Sequence, residues 1–492
     1  MSQLKQLASH TAIYGIGHIL SKGFYFIFLV PYLTRRLDDT YSFGVYNELY
    51  GYASLLIVLF SFRMDTALFR FGSKKGSLQK AFSSALIPVL VGGLSLVLTV
   101  YLSADTIADW IKYPDKVFYV KWFAIIIGLD VLMLLPYARL RLEDKALKFT
   151  VYRLLNIIIT IVLVFAFLEG NLAETFSWIP QLDDVEYVFL ANLVASLTMC
   201  LVLSPILLSA NLKDVDWSQV KRMLWYCAPL VIVGMSNSIN QFFAVPLQKF
   251  FLGGNYSDNL SDGGIYAAPQ KIAALVSLVT VAFNYAAEPF FFKHAANSED
   301  RSVYGKIALA FTMFMGVIVV GIICYLDILK YLTDVSKYAE GFIIVPILLF
   351  AYLLLGLYYN ISIWYKLSDK TTFGAYISLA GVALTLLISI SLLPSIGYIA
   401  SAWAALGCYS LMVILAYLFG QKHYPIKYPL KGIGLQIVIT VVFVLIALTV
   451  NGSQISMPGS LGLNTLVFTL YAMVTYLMNR QFVMEQVAEA RG

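Results

Sequence analysis

The chain has 492 residues, 60% of them hydrophobic and 13% charged, with a formal net charge of +6. Soluble domains carry about 25% charged residues, so this chain cannot hide its apolar surface in a core of its own making and lipid must be its solvent. The small charge excess, without a basic stripe in any polar domain, excludes a nucleic-acid footprint. Cys200, Cys227, Cys324 and Cys408 fall in or beside apolar runs and read as core side chains, not as a disulfide framework or a metal site.

Fourteen apolar runs of about spanning length follow one another, at 11–33, 44–62, 82–102, 121–138, 149–168, 187–209, 223–248, 265–292, 304–326, 341–365, 372–393, 398–419, 432–450 and 461–479. They define an all-α polytopic membrane protein. The first run reads as a retained helix, because a single lysine precedes it and no small-residue cleavage site follows. Lys22 sits near its middle, where a cation costs about 2.5–3.5 kcal/mol to insert. It is a candidate cavity cation, or else half of a buried ion pair. His18 lies one helical turn earlier on the same face, as a contact for sugar hydroxyls or as a packing histidine.

The second run carries Glu48, a candidate counter-charge for Lys22 across the first hairpin. Arg63 and Asp65 follow at its far end, as a gate or as a solvated turn. In the fourth run Asp130 is mid-span, a candidate for proton coupling or a satisfied partner of a cation. The seventh holds Asn240 and Gln241, candidate sugar contacts. In the eighth, Lys271 either snorkels to the interface or serves as a point-charge phosphate binder. Glu288, just before Pro289, is a counter-charge, a gate or a structural cap.

Of the 34 lysines and arginines, 24 fall in one set of loops and termini and eight in the alternate set: Arg35, Arg36, Lys112, Lys116, Lys121, Lys249, Lys330 and Lys337. The cation-rich side faces the cytoplasm, which puts both termini there and agrees with an even number of spans. No loop exceeds about twenty residues, which leaves little room for the extramembrane chemistry of a glycosyltransferase, ligase or polymerase. No HExxH, GxSxG or P-loop pattern appears. No cofactor, metal or ATP site is therefore expected, and the drive must come from an ion gradient, the membrane potential or mass action.

Gly44-Val-Tyr46-Asn47 and Gly264-Ile-Tyr266-Ala267 are separated by 220 residues and follow the first and seventh runs. Both of those runs point the same way, so a repeat here is parallel, about an axis along the membrane normal. The reading is two six-helix lobes in pseudo-two-fold repeat, 1–210 and 211–420, with the last two helices and a cytoplasmic tail in 421–492. Prolines within the runs, Pro246 and Pro269 among them, remove backbone hydrogen bonds and mark candidate kinks.

Gly264 to Lys271, continuing into Phe283 to Phe292 with Ala287-Glu288-Pro289, resembles the eighth helix of bacterial oligosaccharide flippases. These form the polysaccharide transporter (Wzx-like) branch of the multidrug/oligosaccharidyl-lipid/polysaccharide exporter superfamily. Trp364 to Thr371, Gly397 to Trp403 and Tyr424 to Pro429 are similar to further signatures of that branch, as is the opening from Leu20 to Tyr46. The resemblance implies two lobes around a cationic cavity, working by alternating access in the bacterial inner membrane. It implies as cargo an undecaprenyl-pyrophosphate-linked oligosaccharide, H+ or Na+ as coupling ion, and a polysaccharide polymerase and glycosyltransferases as partners. One departure stands out: where relatives carry an Asp-Arg pair in the seventh helix this chain has Ala244-Val245, with Asn237, Asn240 and Gln241 nearby. Two other readings stay open, a cation-coupled multidrug antiporter of the same superfamily and an inactive scaffold for glycan assembly.

Overall fold

The computed structural model describes residues 23–73, 76–170, 179–297, 300–368, 370–453, 455–480 and 484, and all regular structure among them is helical. Eleven helices are long and apolar enough to cross a membrane, or thirteen if each of two bent pairs is one span. These thirteen match the second to fourteenth runs read from the sequence. Most of the first run, with Lys22 and His18, lies outside the described residues.

The chain folds as two compact units, one of residues up to Ala267 together with Thr371–Ser401, the other of Ala268–Lys370 together with residues from Ala402 on. The first unit holds α1 (Val30–Arg36), α2 (Thr40–Ser61), α3 (Met64–Gly72), α4 (Leu78–Leu102), α5 (Ala104–Trp110), α6 (Val117–Leu142), α7 (Ala146–Leu168) and α8 (Asp184–Leu208). It continues with α9 (Trp217–Phe242), α10 (Ala244–Phe251) and the start of α11 (Tyr256–Ala273), and regains α16 (Thr372–Ile396) later in the chain. The second unit holds α12 (Leu275–Asn297), α13 (Ser302–Cys324), α14 (Val345–Ile361), α15 (Ile363–Leu367), α17 (Ile399–His423), α18 (Leu430–Asn451) and α19 (Met457–Met478), apart from the first residues of α17.

Local sequence explains where helices start, stop and bend. Asp39 caps α2 by accepting from the Ser42 amide at 2.8 Å, and Asp183 caps α8 in a capping box with Glu186. At the end of α2, Phe62 and Arg63 both take left-handed backbone, with φ of 48° and 53°. This separates α2 from α3 within one 33-residue apolar stretch. α9 and α10 meet at 66°. Pro246 accounts for this break: it has no N–H to give the Phe242 carbonyl, and its ring does not tolerate a straight continuation. α11 and α12 meet at 44°, five residues after Pro269.

With lipid outside, helices gain little from apolar contact alone, so close approach and buried polar groups hold them. In the second unit the Gln436 amide donates to Tyr471 Oη at 2.9 Å and to Thr475 Oγ1 at 3.1 Å, joining α18 to α19. Gly316 of α13 lets that pair in, since a Cβ there would overlap Tyr471 Oη and lie 2.8 Å from Thr440 Oγ1. Trp364, in one of the segments with family resemblance, is fully buried, donates to the Ala416 carbonyl at 2.9 Å and stacks on His423. Packing is its visible role.

Candidate functional site

A cluster of buried polar side chains in the first unit lies around Glu48. Glu48 and Lys249 are both fully buried, and Lys249 Nζ donates to Glu48 Oε2 at 3.0 Å. Tyr113 Oη donates to Glu48 Oε2 at 2.5 Å and Tyr52 Oη to Glu48 Oε1 at 2.8 Å. Lys249 also donates to the Ile111 carbonyl at 2.6 Å and stands 3.7 Å from the centre of the Tyr113 ring. Two charges, two phenols and a carbonyl thus satisfy one another where lipid and protein exclude water. An ion pair in such a place holds only with this many supporting hydrogen bonds.

The elements explain the meeting. Glu48 is one turn into α2 from Gly44, Lys249 stands in the short helix after the Pro246 bend, and Tyr113 comes from the loop after α5. The sequence pairs Glu48 with Lys22 and counts Lys249 among loop cations. Lys22 lies outside the described residues, and among those described it is Lys249 that the Glu48 carboxylate meets, because the bend turns α10 back over α2. The available signal was position: Lys249 abuts the seventh apolar run, one turn after a proline.

Farther along α2, Ser238 Oγ of α9 donates to the Ser54 carbonyl at 3.2 Å. Asn240 Oδ1 accepts from Thr385 Oγ1 of α16 at 2.8 Å, and its Nδ2 is buried with no hydrogen-bond partner among the described residues. Gln241 beside it is half-buried. Of the polar residues near Ala244-Val245, Asn240 therefore ties α9 to α16.

Arg63 and Asp65 lie at the left-handed break, both half-buried, and Arg63 Nε and Asp65 Oδ1 are buried without a hydrogen-bond partner among the described residues. The Arg63 carbonyl accepts from Cys227 Sγ of α9 at 3.2 Å. Left-handed backbone costs a residue other than glycine about 1–2 kcal/mol, so the surrounding structure must hold this turn in place. Arg63→Gly should therefore be more stable than Arg63→Ala by about that amount. Both lose the guanidinium, so equal melting temperatures for the two would refute the strain.

Asp130 accepts from Ser196 Oγ of α8 at 3.1 Å and feels the charge of Arg153. The Arg153 guanidinium lies 4.1 Å from the centre of the Tyr137 ring. From sequence Arg153 counts as a loop cation, whereas in the structure it is a half-buried side chain of α7. An apolar cavity of about 260 Å³, lined by Leu49, Tyr52, Leu96, Ile107, Phe123 and neighbours, lies among α2, α4, α5 and α6. Its lining has no charged side chain, so it cannot hold a phosphate. Tyr46 and Tyr266 are only 5% and 1% exposed, and their rings are spent on packing.

In the second unit, Lys271 sits half-buried in α11, and among the described residues it has no ion pair. Gln270 beside it reaches Tyr352 Oη of α14 at 3.5 Å. Glu288 lies in α12, but its side chain is outside the described residues.

Among the described residues the chain is all-helical, with two broken spans and a buried ion pair beside one of the breaks. The polysaccharide biosynthesis protein family model matches residues 7–295, and the chain belongs to that family. Among solved structures it is similar to the lipid II flippase MurJ in an inward closed conformation, with a TM-score of 0.68 at 15% identity over 96% of this chain and 99% of that one. It is also similar to a MATE transporter in complex with MaD3S, with a TM-score of 0.58 at 14% identity over 86% of this chain and 98% of that one. An outward-facing multidrug resistance MATE family transporter of the MOP superfamily gives 0.56 at 14% identity over 85% and 94%. The chain thus shares its fold with these MurJ and MATE structures. An uncharacterized membrane protein of Haemophilus influenzae is 24% identical over 291 residues, which is 58% of this chain and 65% of that protein's length.

Proposed function

We propose that the protein is a flippase that moves an undecaprenyl-pyrophosphate-linked oligosaccharide from the inner to the outer leaflet of the bacterial inner membrane, for assembly of a surface polysaccharide. The observation that carries this reading is the family match over residues 7–295. The MurJ-like fold supports it. So does chemistry: the diphosphate is the part of such a cargo that lipid rejects, and a lysine in a low-dielectric site offsets that cost far better than one in water. Lys271, half-buried without an ion pair among the described residues, and Lys22 are the cations assigned to it. Both termini face the cytoplasm by the lysine and arginine asymmetry. Asp130 is the candidate for H+ or Na+ coupling, and glycosyltransferases and a polymerase are the partners such a cargo requires. The protein acts on its cargo without making or breaking covalent bonds.

A multidrug antiporter is the second reading, favoured by the likeness to MATE structures. A cationic drug needs an uncommitted carboxylate; Glu48 is spent on Lys249 and Asp130 is shared between Ser196 and Arg153, which leaves Asp65 as the partly unpartnered carboxylate among the described candidates. Purified protein in proteoliposomes should move undecaprenyl-pyrophosphate-oligosaccharide between leaflets well above lipid-only vesicles. Movement no faster than in those vesicles sinks the flippase reading, and drug-driven ion exchange in the same vesicles would establish the antiporter.

A further inference from the structure

The two copies of the Gly-x-Tyr repeat meet each other. A Cβ on Gly44 of α2 would overlap the Leu260 carbonyl and lie 3.3 Å from the Gly264 amide nitrogen. A Cβ on Gly264 of α11 would overlap the Thr40 carbonyl and lie 3.2 Å from the Gly44 amide nitrogen. Each glycine thus packs on the residue one turn before the other, and both pairs of positions, Thr40 with Leu260 and Gly44 with Gly264, differ by the 220 residues of the sequence repeat. The contact is reciprocal, as a local two-fold axis through the crossing requires.

The same face of α2 continues the seam. Gly44, Glu48 and Gly51 recur at helical spacing. Glu48 meets Lys249. A Cβ on Gly51 would lie 2.7 Å from the Phe242 carbonyl freed by the bend and 3.1 Å from the Pro246 ring. The Tyr52 ring meets Phe243 edge to face, with centroids 5.5 Å apart. Gly263 adds a further close approach, since a Cβ there would lie 2.7 Å from Val245. Among the described residues, one side of α2 is therefore fitted against the α9–α10 bend and α11 through backbone and glycine, the Tyr52–Phe243 ring contact and the Glu48–Lys249 ion pair.

Such a seam is suited to opening. Helices held through glycine part without dragging interlocked side chains. A buried ion pair contributes little net stability, because the desolvation it suffers is recovered when water enters. A leucine seam regains nothing of the kind. We propose that the Gly44–Gly264 crossing and the Glu48–Lys249 pair are the outer gate of the protein: closed as seen here, and parted with the pair hydrated when cargo leaves. The assignment of this end as outer, and of cargo release as its purpose, rests on the flippase reading.

Two measurements on full-length protein test it. The first needs no cargo. Spin labels on Asp38→Cys and Ser257→Cys, exposed positions just before α2 and near the start of α11, should give a short distance in nanodiscs. They should also give a second, longer population that grows several-fold when Gly44→Ala is added to folded, monodisperse protein. A single distance unchanged by Gly44→Ala overturns the gate. In the second, Thr40→Cys and Leu260→Cys are joined by a short reducible bis-thiol reagent, with each single-cysteine variant as control. Flipping of undecaprenyl-pyrophosphate-oligosaccharide should fall at least tenfold and return on reduction. Flipping at the unlinked rate by cross-linked protein overturns the gate while the flippase reading stands. If even the unlinked protein flips nothing, that reading fails and the distance measurement alone decides the gate.

Discussion

Replacing Lys249 by methionine should lower stability by about 3–5 kcal/mol, because it strands a carboxylate in a place that water does not reach. Glu48 accepts from Lys249, Tyr113 and Tyr52. Without the ammonium, two phenols must satisfy a full negative charge at zero exposure. Glu48→Gln strands the opposite charge, leaving Lys249 with the Ile111 carbonyl, the Tyr113 ring and a neutral amide. Both single variants should show a large drop in melting temperature in detergent. The double variant Glu48→Gln with Lys249→Met should recover most of the loss, since a neutral pair of similar volume carries no stranded charge. Additive losses in the double variant would mean that the two side chains act separately. Under the gate proposal the double variant should also transport slowly in spite of its stability, because a seam without charge has less to gain from water.

Lys271→Met should do the reverse, raising stability while lowering transport. A half-buried ammonium that has no ion pair among the described residues costs folding energy that an apolar side chain of similar length does not. A charge-assisted hydrogen bond to a phosphate is worth about 1.5–3 kcal/mol, so losing it at the rate-determining configuration should slow flipping roughly 10- to 150-fold. Lys271→Arg keeps the charge and should keep most of the rate. Melting temperature and flipping rate measured on the same preparations separate the roles: a variant that loses stability and transports normally would make Lys271 a structural residue.

Much of the fold was legible in the sequence, for a simple reason. An apolar run of spanning length has one stable conformation in lipid, because only a helix satisfies its backbone internally. The thirteen runs from 44 to 479 therefore reappear at nearly the positions their composition dictates. Kinks were partly legible. Pro246 and Pro269 each precede or adjoin a break, but Pro88 and Pro136 lie inside helices that continue through them, since the neighbours of a proline decide whether the freed carbonyl finds a partner. The left-handed pair Phe62 and Arg63 had no signal at all, as neither residue type favours that backbone.

The candidate site was legible only in its parts. Glu48 and Asp130 announce themselves as carboxylates within apolar runs. Lys249 and Arg153 do not, because each sits at the edge of its run and passes for a loop cation. The repeat shows what each level contributes. The sequence alone determined that the chain is helical, that lipid is its solvent, which of its loops carry the positive charge, and that Gly44-Val-Tyr46 recurs 220 residues later. Only the tertiary structure decided that the two copies cross at their glycines and that Glu48 belongs to Lys249. Hydropathy is a property of a segment and can be summed along it, whereas the partner of a charge is fixed by which distant segment the bends bring within about 3 Å of it.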